Sequence, residues 1–228
     1  MGEDQNTVAV VGGTGDQGFG LALRWAKAGR HVLIGSRVRS RAEDAAARVK
    51  SAVGVSAQVE GMENVEAVAH APLVILSVPY EAQIATLKTL REVWRPGQIL
   101  VDLTVPLETS VGGSPSRLLG VWAGSAAEQA AQHVPDSVAV VGAFHNVSAH
   151  SLQEIEHSVE CDVIVCSDNA DARGKLRPWV EAIPGCQYVD GGKLENARIV
   201  ESLTALLIGM NRRYKVPGAG IRVTGLQP

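Results

Sequence analysis

An unbroken run of β-branched and small apolar residues, Thr7-Val8-Ala9-Val10-Val11, stops at Gly12-Gly13-Thr14-Gly15-Asp16-Gln17-Gly18, and a helical pattern follows. Such a run belongs to a strand covered on both faces, as in a parallel sheet. Gly13, Gly15 and Gly18 form G-x-G-x-x-G at the strand-to-helix turn, a position that gives an otherwise common string its meaning. One glycine permits the tight turn, one lets a pyrophosphate touch the backbone, and one lets helix and strand pack closely. The first N–H groups of the helix then point at the phosphates. The chain is expected to bind a dinucleotide.

The pattern continues in the same style. Leu21, Ala22 and Trp25 recur at helical spacing between Gly18 and Ala28, and Gly29 stands where a left-handed cap is wanted. His31 to Gly35 reads as a second strand and Ser40 to Val53 as a second helix. Further strands are expected near 57–59, 73–78, 99–103 and 137–141, with helices at 64–70, 81–93 and 125–133. Alternation of this kind predicts a doubly wound parallel α/β sheet of the Rossmann type. Residues 104–122, with Pro106, Gly112, Gly113 and Pro115, read as a long loop beside the strand ends, where function is often placed. After Gly142 a shorter set follows, with strands at 162–166 and 187–189 and helices at 171–183 and 194–213. We therefore expect a dinucleotide-binding domain over 1–145 and a small C-terminal α/β lobe over 146–228.

The second strand's end selects the dinucleotide. NAD-binding proteins place a carboxylate there for the ribose 2′-hydroxyl. Here the residues are Ser36 and Arg37, with Arg39 and Arg41 close behind. A hydroxyl and a guanidinium donate to a 2′-phosphate that a carboxylate would repel, and cations in a helix's first turn call for an anion. The expected cofactor is NADP.

Composition removes several other classes. Hydrophobic residues make up 46% and charged residues 20%, enough apolar side chain to fill a core. With 21 Lys plus Arg against 24 Asp plus Glu, the net charge of −3 provides no field for nucleic acid or an anionic membrane. The acidic start, Met1 to Asn6, lacks an apolar leader core, and no later apolar run is long enough to span a bilayer, so a cytoplasmic protein is expected. Cys161, Cys166 and Cys186 are too few for a disulfide framework and show no C-x-x-C spacing. Reduced thiols and no metal are the expectation.

Carbonyl reduction needs an acid within reach of the developing alkoxide, and no Tyr-x-x-x-Lys pair is present. His145 and Lys193 are the candidates for a reductase of a small imine or carbonyl. Hydride transfer between two redox cofactors needs no such acid, because the protein mainly holds two rings face to face. Val147-Ser148-Ala149 is a small, mostly apolar lining that suits a flat ring. A protein that senses NADP without catalysis is a third reading, since fold alone does not fix function.

Several segments together resemble the NADPH-dependent coenzyme F420 reductases: Val10 to Gly18; Ser36-Arg37 after Ile34-Gly35; Ser77-Val78-Pro79-Tyr80; and Arg198 to Gly225, which contains Glu201-Ser202-Leu203-Thr204 and Asn211-Arg212-Arg213-Tyr214-Lys215. The likeness runs over almost the whole chain. It implies hydride exchange between NADP(H) and the deazaflavin F420, with deazaflavin C5 facing nicotinamide C4, and a homodimer. By matching motif, Thr14, Gly15, Asp16 and Gln17 would hold the pyrophosphate, and Ser36, Arg37 and Arg41 the 2′-phosphate. Val78, Tyr80 and Ile84 would line the adenosine and ribose side. His145, a candidate for a catalytic role, would lie with Val147 and Ala149 beside the nicotinamide and deazaflavin. Arg212, Arg213 and Lys215 form either a rim for the anionic F420 tail or the cationic end of a helix.

Overall fold

The computed structural model describes residues 6–226. The acidic start Met1 to Gln5, from which the absence of a leader was read, lies outside them. Eight strands form one sheet: β1 Thr7–Val11, β2 His31–Ser36, β3 Val59–Glu63, β4 Leu73–Leu76, β5 Ile99–Asp102, β6 Ala139–Gly142, β7 Cys161–Cys166 and β8 Cys186–Gly192. Their order is β3-β2-β1-β4-β5-β6-β7-β8. Every pairing from β3 across to β6 is parallel. The β7 strand then joins β6 antiparallel, through Gly142 opposite Cys166, and β8 returns parallel to β7. The strands expected in a C-terminal lobe thus extend the same sheet.

Helices cover both faces because the strands are apolar on both. Val8 and Val10 of β1 point into one core, shared with α1 (Asp16–Lys27), α2 (Arg39–Val53), Leu152 of α6 (Ala149–Gln153) and α7 (Ala170–Val180). Ala9 and Val11 point into the other, shared with α3 (Asn64–His70), α4 (Gln83–Thr89), α5 (Ala126–Ala131) and α8 (Ala197–Tyr214). The period-2 alternation of side chains thus divides one apolar run between two cores. The fully buried Trp25 anchors the first core: its indole N–H donates to the Trp179 carbonyl at 2.8 Å, and its ring meets Phe144 and Trp179 edge-on.

Some boundaries differ from the sequence pattern for local reasons. The third strand begins at Val59 rather than Ala57, where Gly54 and the Ala57–Gly54 turn have first ended α2. The helix expected over 81–93 is a 3-10 turn, Tyr80–Ala82, followed by α4, which stops at Thr89. There the Thr89 hydroxyl donates to the Thr86 carbonyl at 2.7 Å, offering the backbone an alternative to further helix. The short α6 had no periodic signal; Ser148 caps it by accepting the Ser151 N–H.

Candidate functional site

Strand order reverses at β1, which leads into β2 on one side while the chain later returns as β4 on the other. A crevice opens beyond the C-terminal strand ends at such a switch point. It holds a cavity of about 680 Å³, bounded by Gly15–Gln17, the segments after β4, β5 and β6, one side of α8, and Pro217 and Ala219 near the chain's end. That volume is typical of a small-molecule or cofactor site.

The glycines of the first turn answer to different demands. Gly12 has φ +74° and a side chain there would come within 2.6 Å of the Ser77 carbonyl. A side chain at Gly18 would meet the Gly13 Cα at 2.9 Å. Both serve the protein's own packing. Gly15 has an ordinary φ of −82°, borders the cavity, and would place a Cβ no closer than 3.5 Å to another atom. Nothing in the fold requires glycine there, whereas a phosphate lying on the backbone does. No side chain caps α1 at Gly15, so the N–H groups of its first turn remain for an anion. Thr14 is exposed on the same turn, and Asp16 and Gln17 border the cavity.

Ser36 closes β2, buried, with its hydroxyl accepting the Val38 N–H at 3.3 Å. The first turn of α2 contains no acidic residue. Arg39 is spent on Glu66. Arg37 and Arg41 are exposed and make no ion pair among the described residues, which leaves two guanidiniums beside an oriented hydroxyl. This set fits a 2′-phosphate.

Val78 and Tyr80 line the cavity after β4, while half-buried Ile84 on α4 does not reach it. Tyr80 starts a relay into the core. Its hydroxyl donates to Gln129 at 3.3 Å, Gln129 donates to Gln83 at 2.7 Å, and Gln83 donates to Asp102 at 2.7 Å. Burial pushes the Asp102 carboxyl up to about 6, against the bonds it accepts from Thr104 and Gln83.

The wall after β6 is a tight turn closed by the Val147 N–H on the Phe144 carbonyl at 3.2 Å. Phe144 adopts φ +63°, a left-handed conformation that costs a non-glycine residue roughly 1–2 kcal/mol. Its ring, packed on Trp25 with centroids 5.9 Å apart, holds it there. The next side chain, His145, is 5% exposed, and neither ring nitrogen has a hydrogen-bond partner among the described residues. Burial pushes the imidazole down to about 4; the Asp102 backbone lies near enough to oppose this without making an aligned bond. His145 is therefore neutral at pH 7 and poorly suited to deliver a proton. Val147 and Ala149 complete this wall, and Lys193 is exposed and outside the cavity.

The sequence pattern had flagged the 104–122 loop only as a region. Thr104, Leu107 and Ser110 of that loop border the cavity, as do Thr204 and Leu207 of α8. Residues missed altogether are Pro217 and Ala219, which reach the site only through tertiary folding of the chain's end.

A glycine turn at the switch point, unpaired cations at the second strand's end and a ring-sized cleft define a dinucleotide-binding protein of the doubly wound α/β class. The family model "NADP oxidoreductase coenzyme F420-dependent" matches residues 7–106. The F420-dependent NADP reductase of Methanothermobacter thermautotrophicus is 46% identical over 221 residues, covering 96% of this chain and 95% of that protein. The F420-dependent NADP reductase of Methanocaldococcus jannaschii is 43% identical over 223 residues, covering 96% and 99%. A crystal structure of a candidate F420-dependent NADP reductase from Arthrobacter sp. FB24 superposes with a TM-score of 0.79 at 25% identity, covering 96% and 99%. The chain belongs to the F420-dependent NADP reductase family.

Proposed function

We propose that this enzyme transfers a hydride reversibly between NADP(H) and coenzyme F420. The observation that carries the reading is the continuity of one cleft, from the Gly15 phosphate seat past Val78 and Tyr80 to the small apolar wall of Val147 and Ala149. In the reducing direction one C–H bond of NADPH breaks and one forms on the deazaflavin, with two electrons moving as hydride. One proton is taken up, giving NADP⁺ and F420H₂. The cofactors supply the redox chemistry, and the protein supplies binding, orientation and a dry wall.

Thr14, Gly15, Asp16 and Gln17 hold the pyrophosphate, with Gly15 giving it room against the backbone and the first N–H groups of α1 donating to it; Ser36, Arg37 and Arg41 hold the 2′-phosphate. Val78 and Tyr80 flank the ribose side, and Ile84 does not border the cleft. Val147 and Ala149 face the rings beside neutral His145, which shapes the wall and is not a proton donor. Residues 1–145 act as the NADP-binding part and 146–228 as the part that closes the deazaflavin side. Exposed Ile199, Leu206 and Met210 on α8 would serve as a homodimer seam. No helix among the described residues is long and apolar enough to cross a membrane, and both redox partners are charged, soluble coenzymes, in keeping with a cytoplasmic site of action.

Mixing the protein with NADPH and oxidised F420 tests the reading through loss of the deazaflavin's visible absorbance, with NADH as the control. Rapid bleaching with NADPH and little with NADH is expected. NADPH binding without bleaching would overturn the assignment of F420.

A further inference from the structure

Gln17 makes a connection that its place beside the phosphate seat does not require. Its side-chain amide donates one hydrogen to the Phe144 carbonyl at 3.3 Å and the other to the Val147 carbonyl at 3.1 Å. A glutamine amide has two donors, so both are used. The two carbonyls bracket the tight turn that carries His145 and Asn146 and that leads into Val147 and Ala149. This turn contains the left-handed Phe144 and is held from the opposite side by Thr204, whose hydroxyl donates to the His145 carbonyl at 2.7 Å.

Other bonds between α1 and the segment after β6 act further along. Arg24 donates to the carbonyls of Ser151, Leu152, Glu154 and His157. Gln153 donates to the Asp16 carbonyl at 3.1 Å, and Gly20 allows close packing on Leu152. These fix the segment from α6 onward. Among the bonds described, only Gln17 ties the turn itself to the phosphate-binding end of α1.

We propose that Gln17 is a positioning residue: its amide bolts the ring-facing turn at 144–147 to the glycine turn, and so sets the spacing between the nicotinamide's anchor and the wall against which the two rings stack. The inference rests on the hydride-transfer reading above. Transfer between stacked rings depends steeply on approach, and small misplacements cost rate more than affinity. The amide also stands at the surface of the phosphate seat, so the competing role, direct contact with the pyrophosphate, would instead be felt in binding.

The test is single-turnover reduction of F420 by the full-length protein, using NADPH and NADPH deuterated at the transferred position, with NADPH affinity measured separately by titration. In Gln17→Met, which keeps the length and removes the donors, the transfer rate at saturation should fall on the order of 10- to 10²-fold. The deuterium isotope effect should rise, and NADPH affinity should stay within about twofold. Gln17→Lys, which keeps N–H donors at similar reach, should recover most of the rate, and its result decides the matter if Gln17→Met does not fold. An unchanged rate in Gln17→Met would overturn the proposal, as would equal losses in both variants. So would a loss confined to NADPH affinity, which would assign the side chain to the phosphates. If the wild-type protein binds NADPH and leaves F420 oxidised, the hydride-transfer reading fails before Gln17 is tested.

Discussion

At the scale of single residues, two glycines of one turn separate folding from binding. Gly12→Ala forces a side chain onto a backbone at φ +74° and within 2.6 Å of the Ser77 carbonyl, so a loss of more than 1 kcal/mol is expected. Gly15→Ala meets neither obstacle. It should unfold at the wild-type temperature while NADPH affinity falls on the order of tenfold or more, which thermal denaturation and titration would measure side by side. A stability loss in Gly15→Ala equal to that of Gly12→Ala would remove the argument for a phosphate at Gly15. His145 allows a second contrast. Because burial holds its imidazole at about 4, no rise or fall of rate between pH 5.5 and 7.5 should be traceable to it. His145→Ala should slow turnover by less than the 10²–10⁴-fold expected for a true general acid, and a pH–rate limb that vanishes in this variant would contradict its neutral role. The glycine turn was legible in the sequence because each glycine meets a steric demand within a few residues. The pair of hydrogen bonds from Gln17 was not, since their acceptors lie 127 and 130 positions away.

At the scale of elements, α8 supports the site by a buried carboxyl group. Glu201, 2% exposed, accepts the Ala126 and Ala127 N–H groups at 2.9 and 3.0 Å, and thereby joins α8 to the start of α5. Three residues later Thr204 holds the ring-facing turn, so α8 transmits its own placement to the site. Burial pushes the Glu201 carboxyl up to about 8, outweighing the two N–H bonds, with the Asp102 charge adding to the rise. A folded-state value above the unfolded one means that the native state keeps a proton the unfolded chain releases. Stability from this group is complete below about pH 4.5 and is lost progressively as pH rises to about 8. Asp102 follows the same sign with a folded value of about 6, so its share is nearly spent by pH 7. Between pH 7 and 8 the loss should therefore belong mainly to Glu201, at up to about 1.4 kcal/mol per pH unit. Calorimetric unfolding should show a midpoint falling by a few degrees over that window, and Glu201→Gln should flatten it. An equal slope in the variant would place the titration elsewhere. Helical spacing made α8 readable as an amphipathic helix, yet the partner of Glu201 is a pair of backbone groups some 75 residues earlier, invisible to any local pattern.

At the scale of the whole molecule, the sheet carries the glycine turn at its centre and leaves the far wall of the cleft to Pro217 and Ala219. Repeated strand-helix alternation made the central sheet readable, whereas the path of residues 216–223 has no periodicity from which to infer it. After α8 the chain turns at Lys215, φ +56°, and runs back along β7, where the Ile221 carbonyl accepts the Asp162 N–H at 2.7 Å. Arg222 then donates to Asp162 and Glu160, each at 2.6 Å, and the Val223 N–H donates to Asp162 at 2.7 Å. The Asp162 side chain is 3% exposed, so these partners offset the cost of burying it. Upstream, the Ala219 N–H donates to Asn211 at 2.8 Å, and Pro217 and Ala219 form part of the cavity wall. Arg222→Ala leaves a buried carboxylate without its cation. Removing one partner of a fully buried pair costs 3–5 kcal/mol; here the guanidinium is about one-third exposed and solvent screens it, so about 1–3 kcal/mol is expected. This returning strap, residues 216–223, hydrogen-bonds to α8, Ser148 and β7 and makes no described bond to the glycine turn, so the functional loss should be one-sided. The KM for F420 should rise severalfold while NADPH affinity stays within about twofold. Steady-state kinetics with each substrate varied in turn decides it: equal losses for both substrates would mean that the strap supports the fold in general, whereas a selective loss for F420 places the chain's end at the deazaflavin side of the cleft.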